Sequence, residues 1–542
     1  MAAVSSSAGS FAPLRQPVFA VLWAATVLGN TGTFMRDVTS AWLITDLSAS
    51  PVAVALIQVA GTLPIFLLSI PAGVLSDILD RRRFLIAVQC LLAAVSAALM
   101  ILAHVRLIGV GSLIALTLLG GIGAALMGPT WQAIVPELVS RENLRGAVAL
   151  NSLGVNIARS IGPAAGGLLL ATFGAALTYG ADTLSYVVVI AALLWWRRRA
   201  GVEDELPEQF LGALRAGLRY ARASRALHRV LLRAATYFLF ASAIWALLPL
   251  VARNVLHGNA GFYGLLLGAV GVGAILGAIL LPRLRELLGP DGLLLAAAVA
   301  TALVMGSIAL APPQWLAFAL LFVLGAAWIV TLTTLNATAQ AIFPNWVRGR
   351  ALAIYLTVFS GALAGGSFVW GLVAQQITVP TTLMAGAGGL LIVAIALHRL
   401  KLPSVAIDLM PSGHWPEPLV AAAVEHDRGP VMVLVHYKVA ETDRPDFLAT
   451  LARLSEERRR DGASAWGVSE DTADPTHIME WFTVESWAEH LRQHKRVSNL
   501  DADVQRELMS YQIGGESPIV QHFVSLRAAR KASPGLGAGS NQ

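Results

Sequence analysis

Four charged side chains lie away from the ends of long apolar stretches of the sequence, where an ionised group is energetically costly. Arg36 and Asp37 are neighbours in one stretch, and Arg159 and Asp182 lie in two others. An ionisable group near the centre of a bilayer costs about 2.5–3.5 kcal/mol on insertion scales, so such groups are usually paired or functional. We predict that Asp37 or Asp182 carries a proton, with Arg159 as the counter-charge that tunes the carboxylate. The alternative is static: Arg36 and Asp37 reach the outer membrane interface, and Arg159 and Asp182 form a fixed ion pair.

Uncharged polar and aromatic side chains in the same stretches could contact a bound molecule or could simply pack. The amides are Asn30, Gln58, Gln132, Asn156 and Asn336, and the aromatic residues are Tyr237, Trp245, Trp328 and Tyr355. The amides would offer polar contacts to a ligand in a cavity, and the aromatic rings would form the cavity walls.

A charged segment, GVLSDILDRRR at residues 73–83, separates two of the apolar stretches. Its glycine would let two helices approach closely, and its carboxylates could pair with arginines or with a helix end. The segment resembles the signature loop of the major facilitator superfamily, and the resemblance extends over residues 11–402. It implies a gating part for Asp77 and Arg81, within a motif that comprises Gly73, Asp77, Asp80, Arg81 and Arg82. Asp80 departs from the pattern, because the family usually has glycine there. A signal for membrane orientation alone is the alternative.

A second motif, Gly162-Pro163 followed by Gly166-Gly167, resembles the antiporter motif of drug and proton exchangers in the same superfamily. The match is partial, because Ala149 and Ala158 stand where that motif usually has glycines. Small residues permit tight helix packing, and a proline permits a bend. Proton antiport and packing alone are both open interpretations.

The elements that must hold these residues are membrane helices. Of the 542 residues, 56% are hydrophobic and only 13% are charged, and the mean hydropathy is +0.66, whereas soluble domains carry about 25% charged residues. This composition excludes a water-soluble enzyme for most of the chain. Stretches of around 20 apolar residues can cross a bilayer as helices. Twelve such stretches cover residues 18–43, 51–75, 84–104, 109–136, 146–172, 175–196, 230–252, 260–282, 291–311, 315–341, 350–375 and 380–400.

Arginines are concentrated in the loops that follow the even-numbered stretches, as at residues 81–83 and 197–199. The positive-inside rule predicts that both termini are cytoplasmic. Residues 1–17 are expected to form a tail without a cleavable signal. This placement explains the net charge of +6 without nucleic acid as a partner. The chain thus divides into a bundle at 18–196, a linker at 197–229 and a second bundle at 230–402.

The two bundles repeat one another. The sequence QAIVP at residues 132–136 returns as QAIFP at 340–344, each at the same point of its half. Many transporters are built from such repeats, with the substrate site between two bundles that rock about it.

After about residue 417 the charges are spread as in a soluble protein. Strands at 431–439, 463–469, 477–484 and 519–526 and helices at 445–460, 486–494 and 501–511 predict a ferredoxin-like α+β unit over residues 417–527. The unit resembles the dimeric barrel domain of the antibiotic biosynthesis monooxygenase type, fused to a transporter as in enterobactin-exporter-like members of the superfamily. The resemblance implies dimerisation through this domain. Residues 528–542 are predicted to be disordered.

His490 and His494 lie one helical turn apart, a spacing that can bind metal. The sequence offers no evident third ligand, so we predict no metal site and expect no cofactor. The domain would dimerise or sense a ligand, and cofactor-independent monooxygenation is the alternative.

The sequence therefore predicts an all-α polytopic membrane protein with twelve transmembrane helices in two six-helix bundles, the major facilitator fold, followed by a small α+β domain. The resemblance implies the drug and proton antiporter branch: a secondary transporter in the cytoplasmic membrane that exports a small amphipathic molecule, such as a drug, macrolide or siderophore. Its expected partners are the lipid bilayer, this small molecule and protons. A membrane receptor that moves nothing is the rival.

Overall fold

The computed structural model describes residues 11–197, 222, 224–342 and 348–402, and in the C-terminal region residues 420, 424–426, 428–497, 499–515 and 517–526. Most of the predicted linker, the side chain of Asp77 and the predicted disordered tail lie outside the described residues.

The first half of the membrane region consists of six helices: α1 Pro17–Leu47, α2 Pro51–Ile78, α3 Arg81–His104, α4 Val110–Leu138, α5 Leu144–Phe173 and α6 Ala175–Trp195. All six are long and apolar enough to cross a membrane. Within this half α1 packs on α5 and α6, α2 on α4, and α3 on α6. We call the side on which α1 begins the inner side and the opposite side the outer side.

The second half contains α7 Arg225–Leu250, α8 Ala260–Ala309, α9 Gln314–Ile342, α10 Arg348–Gln376 and α11 Val379–His398. Helix α8 is 50 residues long and holds two of the predicted spans, which are separated by Gly289 with a φ of 64°. Only glycine adopts that conformation readily, and Pro290 follows it, so the two arms meet at a sharp inner turn. Eleven described helices therefore carry twelve spans, and the predicted fold class is confirmed.

The C-terminal domain is an antiparallel sheet with helices on one face. Its elements are β1 Val431–Lys438, α12 Arg444–Asp461, β2 Ala463–Glu470, β3 His477–Val484, α13 Trp487–Arg496, α14 Asn499–Met509 and β4 Ile519–Val524. The strand order is β2-β3-β1-β4, as the ferredoxin-like prediction requires. Alternate residues of β1 and β3 are buried beneath the helices, which gives the domain its own core, centred on Val433, Phe447 and Phe482.

Candidate functional site

A buried ionic cluster lies between α1 and α6 in the first half. The Arg36 guanidinium contacts two carboxylates: Nη2 lies 3.2 Å from Asp37 Oδ1, and Nη1 lies 3.7 Å from Asp182 Oδ2. The Asp182 side chain is fully buried, whereas the Asp37 side chain is 53% exposed. One cation therefore links an enclosed carboxylate to one that faces open space.

Neighbouring hydroxyl groups hold this cluster in place. Arg36 Nη1 donates a hydrogen bond to the Tyr186 hydroxyl at 3.1 Å, and Ser96 Oγ donates to Asp182 Oδ2. The second oxygen of Asp182, Oδ1, has no hydrogen-bond partner among the described residues. Gly32 leaves the space for it, because a Cβ at that position would lie 2.7 Å from Oδ1. Burial of a carboxylate with one unsatisfied oxygen costs folding free energy, and this cost favours a functional explanation for Asp182.

The prediction that Arg159 is the counter-charge of Asp182 is wrong. Arg159 makes no salt bridge among the described residues, and its guanidinium carbon lies 5.9 Å from the centre of the Phe34 ring. The counter-charge is Arg36, which the static interpretation placed at the outer interface but which the structure buries. The sequence spacing could have indicated this pairing. Gly32 and Arg36 are one helical turn apart on α1, Asp182 and Tyr186 are one turn apart on α6, and the two pairs face each other.

The charged segment at residues 73–83 binds α3 to the inner ends of other helices in its own half. Arg81 Nη1 donates to Glu137 Oε1 on α4 at 2.8 Å, and Arg82 donates to the carbonyls of Leu193 and Leu194 at 2.8 Å each. An arginine at the end of α6 is favoured because the free carbonyls and the helix dipole there attract a cation.

Two residues of that segment differ from the predicted roles. Asp80 is the N-cap of α3, where its carboxylate accepts a hydrogen bond from the Arg83 amide at 2.8 Å. This capping function explains why an aspartate is stable where the family usually has glycine. Gly73 makes no close helix contact among the described residues, since none of their atoms lies within 4 Å of a Cβ built there.

The glycines of the second motif face two different helices. A Cβ at Gly162 would lie 2.9 Å from the Thr31 carbonyl, and one at Gly166 would lie 2.7 Å from Met35 Cα, both on α1. Gly167 instead meets the second half, because its Cβ would lie 2.6 Å from Gly264 Cα on α8. Pro163 lies within α5, which continues past it to Phe173. The motif thus packs α5 against α1 and against the other half.

Sequence reasoning missed the contacts that join the outer ends of the two halves. Arg253, just after α7, forms a salt bridge to Asp46 of α1 and donates to Thr45 Oγ1 at 3.0 Å. Beside it the rings of Trp42 and Tyr263 lie 5.9 Å apart. Isolated charges at helix ends carry no spacing pattern that could have identified this contact.

The predicted cavity residues fall into separate groups. Tyr237, Trp245 and Trp328 cluster in the second half, with the two tryptophan rings 4.8 Å apart. Tyr355 is fully buried and its hydroxyl has no partner among the described residues, and the same holds for the buried indole nitrogen of Trp245. Asn156 and Asn336 bond within their own helices, to Ser152 and Gln340, and Asn30 and Gln58 are half-buried in the first half.

A small cleft lies near the inner side of the second half and includes Tyr237. Arg233 closes one end of it, where Nη1 lies 2.6 Å from Asp291 and Nη2 donates to the carbonyls of Leu397 and Leu400. This cleft lies within one half, whereas the sequence predicts a substrate site between the two.

The C-terminal domain encloses two polar groups. Glu480, fully buried, accepts hydrogen bonds from Arg458, Trp466 and Tyr437, and burial together with the Glu480 charge raises the pKa of Tyr437 well above its usual value. His490 and His494 lie together as predicted, and burial and the neighbouring imidazoles lower the pKa of His490 to about 3. The prediction that they lack a third ligand is wrong, since His522 lies beside them.

Comparison with known proteins assigns the chain to a family. Residues 8–531 match the family described as transmembrane secretion effector. The chain belongs to this family. The family and the curated relatives are transporters, which agrees with the predicted transporter, and the match includes the C-terminal domain.

Curated relatives of this secretion effector are exporters and transporters. It is 26% identical to the multidrug efflux pump Tap of Mycolicibacterium fortuitum over 71% of this chain and 97% of that pump. It is 29% identical to the enterobactin exporter EntS of Citrobacter koseri over 62% of this chain and 82% of the exporter. It is 24% identical to the staphyloferrin A transporter of Staphylococcus aureus, over 48% of this chain and 65% of that transporter.

Solved structures share the fold of the membrane region. A bacterial homologue of the human lysosomal transporter Spinster, in an inward-facing conformation, superposes with a TM-score of 0.55 at 16% identity, over 72% of this chain and 97% of that one. A D-xylose-proton symporter gives a TM-score of 0.55 at 16% identity over 72% and 98%. The predicted major facilitator fold is confirmed.

Proposed function

We propose that this protein exports a small amphipathic molecule, such as a drug, a macrolide or a siderophore, in exchange for protons by alternating access. Both termini would be cytoplasmic, as the arginine distribution favours. The names of the efflux pump and of the enterobactin exporter support a substrate of this class.

The observation that carries the proposal is the link from Asp37 through Arg36 to Asp182. With both carboxylates ionised the cluster has one cation for two anions, so it attracts a proton. A proton that neutralises either carboxylate releases one of the two contacts of Arg36. The exposed Asp37 provides access to the cluster, and the buried Asp182 retains the proton away from water.

Helix contacts support alternation between two states. The Asp46–Arg253 salt bridge, the Trp42–Tyr263 ring contact and the Gly167–Gly264 approach all join the two halves toward the outer side. Protonation near Asp37 would act on the same helix as Asp46, nine residues along α1. Movement of α1 is therefore the step that we expect to couple the proton to the closure of the outer side.

The aromatic cluster around Trp328 is suited to the substrate. Binding pockets for small molecules are mostly apolar, with few polar groups that fix orientation. The indole nitrogen of Trp245, whose ring packs on Trp328, has no hydrogen-bond partner among the described residues and is a group of this kind. We assign the amphipathic molecule to this part of the second half and the proton to the first half.

Inverted membrane vesicles test the proposal. With an acidic interior imposed, we expect labelled drug or siderophore to accumulate in the lumen, and an ionophore that dissipates the pH gradient should stop accumulation at once. Binding to the vesicles without accumulation would instead support the rival interpretation, a receptor that moves nothing. Accumulation that persists without the pH gradient would contradict proton exchange.

We further propose that the C-terminal domain pairs with a second copy through the open face of its sheet. The edge strand β4 places Ile519 and Phe523 on that face, 65% and 51% exposed, and Met432 of β1 pairs with Phe523. Exposed apolar patches of this kind mark interaction sites. A ligand-sensing role without pairing is the alternative.

We predict that Phe523→Glu weakens dimerisation of the full-length protein in detergent. Burial of a phenylalanine contributes about 1.5–3 kcal/mol, so the dissociation constant should rise roughly tenfold or more. Light scattering during gel filtration would measure it. Leu448→Glu on α12, which is 40% exposed away from the sheet face, is the matched control. A parent protein that is monomeric, or equal effects of both variants, would rule out this interface.

A further inference from the structure

Three histidines of the C-terminal domain converge from two elements that are distant in sequence. His490 and His494 lie one turn apart on α13, and His522 lies on β4, opposite Val433 of β1 and therefore on the helical side of the sheet. One ring nitrogen from each lies within 4.8 Å of the others. The centroids of the His490 and His522 rings are 4.7 Å apart.

We propose that His490, His494 and His522 together bind one divalent transition-metal ion of the class typified by Zn²⁺, with a fourth coordination position left open. Three histidines plus an exchangeable ligand form a known arrangement for this ion, and imidazole also suits its neighbours Co²⁺, Ni²⁺ and Cu²⁺. This inference does not depend on the transported substrate.

The distances agree with tetrahedral coordination. Zinc–nitrogen bonds of about 2.0–2.1 Å at a tetrahedral angle place two ligand nitrogens roughly 3.3 Å apart. His490 Nε2 and His494 Nε2 are 3.2 Å apart. His522 needs only a side-chain adjustment to complete the set, since its nitrogen is already within 4.8 Å of both.

The surroundings supply what a metal-bound imidazole requires. Such an imidazole usually donates a hydrogen bond from its other nitrogen to a fixed acceptor. His490 Nδ1 is buried without a partner among the described residues. The side-chain oxygen and nitrogen of Gln493, three residues along the same helix, are also buried without a partner there, so the Gln493 oxygen is the acceptor that this nitrogen would use. Trp487 covers the site, with its ring 5.4 Å from that of His490 and 6.2 Å from that of His522.

An ion can also reach the site. His494 and His522 are half-buried while His490 is almost fully buried. The open position therefore faces the two accessible histidines, where water or an oxygen or nitrogen donor from a ligand can enter. A hydrogen bond between two neutral imidazoles is the competing explanation for the 3.2 Å contact, and it would not require the third histidine.

The test uses the full-length protein in detergent, purified with a tag that contains no histidine and stripped with a chelator. Zinc titration against a chromophoric competitor should give one tight equivalent per chain, and Co²⁺ should give the intense visible bands of a tetrahedral site. His494→Gln and His522→Gln, both at half-buried positions, should each lower zinc affinity by roughly 100-fold or more. His490→Ala should do the same, but it removes a buried ring, so the conclusion depends on the first two variants.

A second histidine pair in the same domain is the matched control. His436 Nδ1 and His477 Nε2 lie 3.0 Å apart, and His477 also contacts Asp471. His436→Asn combined with His477→Asn should leave the tight equivalent and the Co²⁺ spectrum unchanged. Zinc should raise the unfolding temperature of the parent and of this control but not of His522→Gln. Absence of a tight equivalent in the parent, retention of full affinity in both glutamine variants, or loss of binding in the control would overturn the proposal.

Discussion

Asp182→Asn is expected to abolish export driven by a pH gradient, so that the initial rate in inverted vesicles falls to the leak rate of vesicles without the protein. Asparagine has nearly the same shape and still accepts the hydrogen bond from Ser96, but it cannot exchange a proton. Removal of one member of a buried ion pair costs about 3–5 kcal/mol when the other is left alone. Here Arg36 retains Asp37, so the variant should fold.

Substrate counterflow separates coupling from binding in this variant. Vesicles preloaded with unlabelled substrate should still exchange it for labelled substrate at a rate of the same order as the parent, because exchange needs no net proton movement. Asp37→Asn should impair coupling less completely, since its side chain is 53% exposed and water can partly replace it.

The second half provides a matched control for this prediction. Asp291 also pairs with an arginine, Arg233, and accepts a hydrogen bond from the Leu402 amide. Asp291→Asn therefore removes a comparable ion pair without touching the proposed proton cluster. We expect it to retain pH-driven export once expression is matched. Normal coupling in Asp182→Asn, or equal losses in both variants, would refute the assignment of Asp182 as a proton carrier.

Gly167→Val is expected to halt transport by preventing the approach of α5 and α8. The added Cβ would lie 2.6 Å from Gly264 Cα and 2.8 Å from the Ala260 carbonyl, and backbone atoms cannot rotate away as a side chain can. Overpacking costs about 1–3 kcal/mol, which shifts a conformational equilibrium roughly 5–150-fold. The outer-closed state should be depopulated, while each half remains folded.

Distances between spin labels would measure this shift. Leu107→Cys and Leu310→Cys place labels on exposed outer loops of the two halves, in a background with the single cysteine removed by Cys90→Ser. The distance between them should increase in Gly167→Val. Gly128→Val on α4 is the control, because no atom of the described part of the chain lies within 4 Å of a Cβ there. Unchanged distances and normal export in Gly167→Val would show that the close approach is not needed.

The sequence was sufficient for the spans because hydrocarbon imposes a length and a polarity on every helix. It was also sufficient for the order of strands and helices in the C-terminal domain. The ion-pair partner of Asp182 was harder to predict. The choice between Arg36 and Arg159 depends on how each helix is rotated about its axis, which apolar stretches without strong periodicity do not define. His522 was missed for a related reason, since β4 is brought to α13 only by the sheet order.

The Asp46–Arg253 salt bridge on the outer side is exposed to solvent. The Asp46 and Arg253 side chains are 45% and 38% exposed, so dissolved salt screens their attraction, with a Debye length of about 8 Å at physiological ionic strength. The buried Arg36–Asp182 pair is shielded from the same ions. In the proposed transport cycle, the salt concentration on the outer side would therefore change how long that side stays closed, independently of acidity.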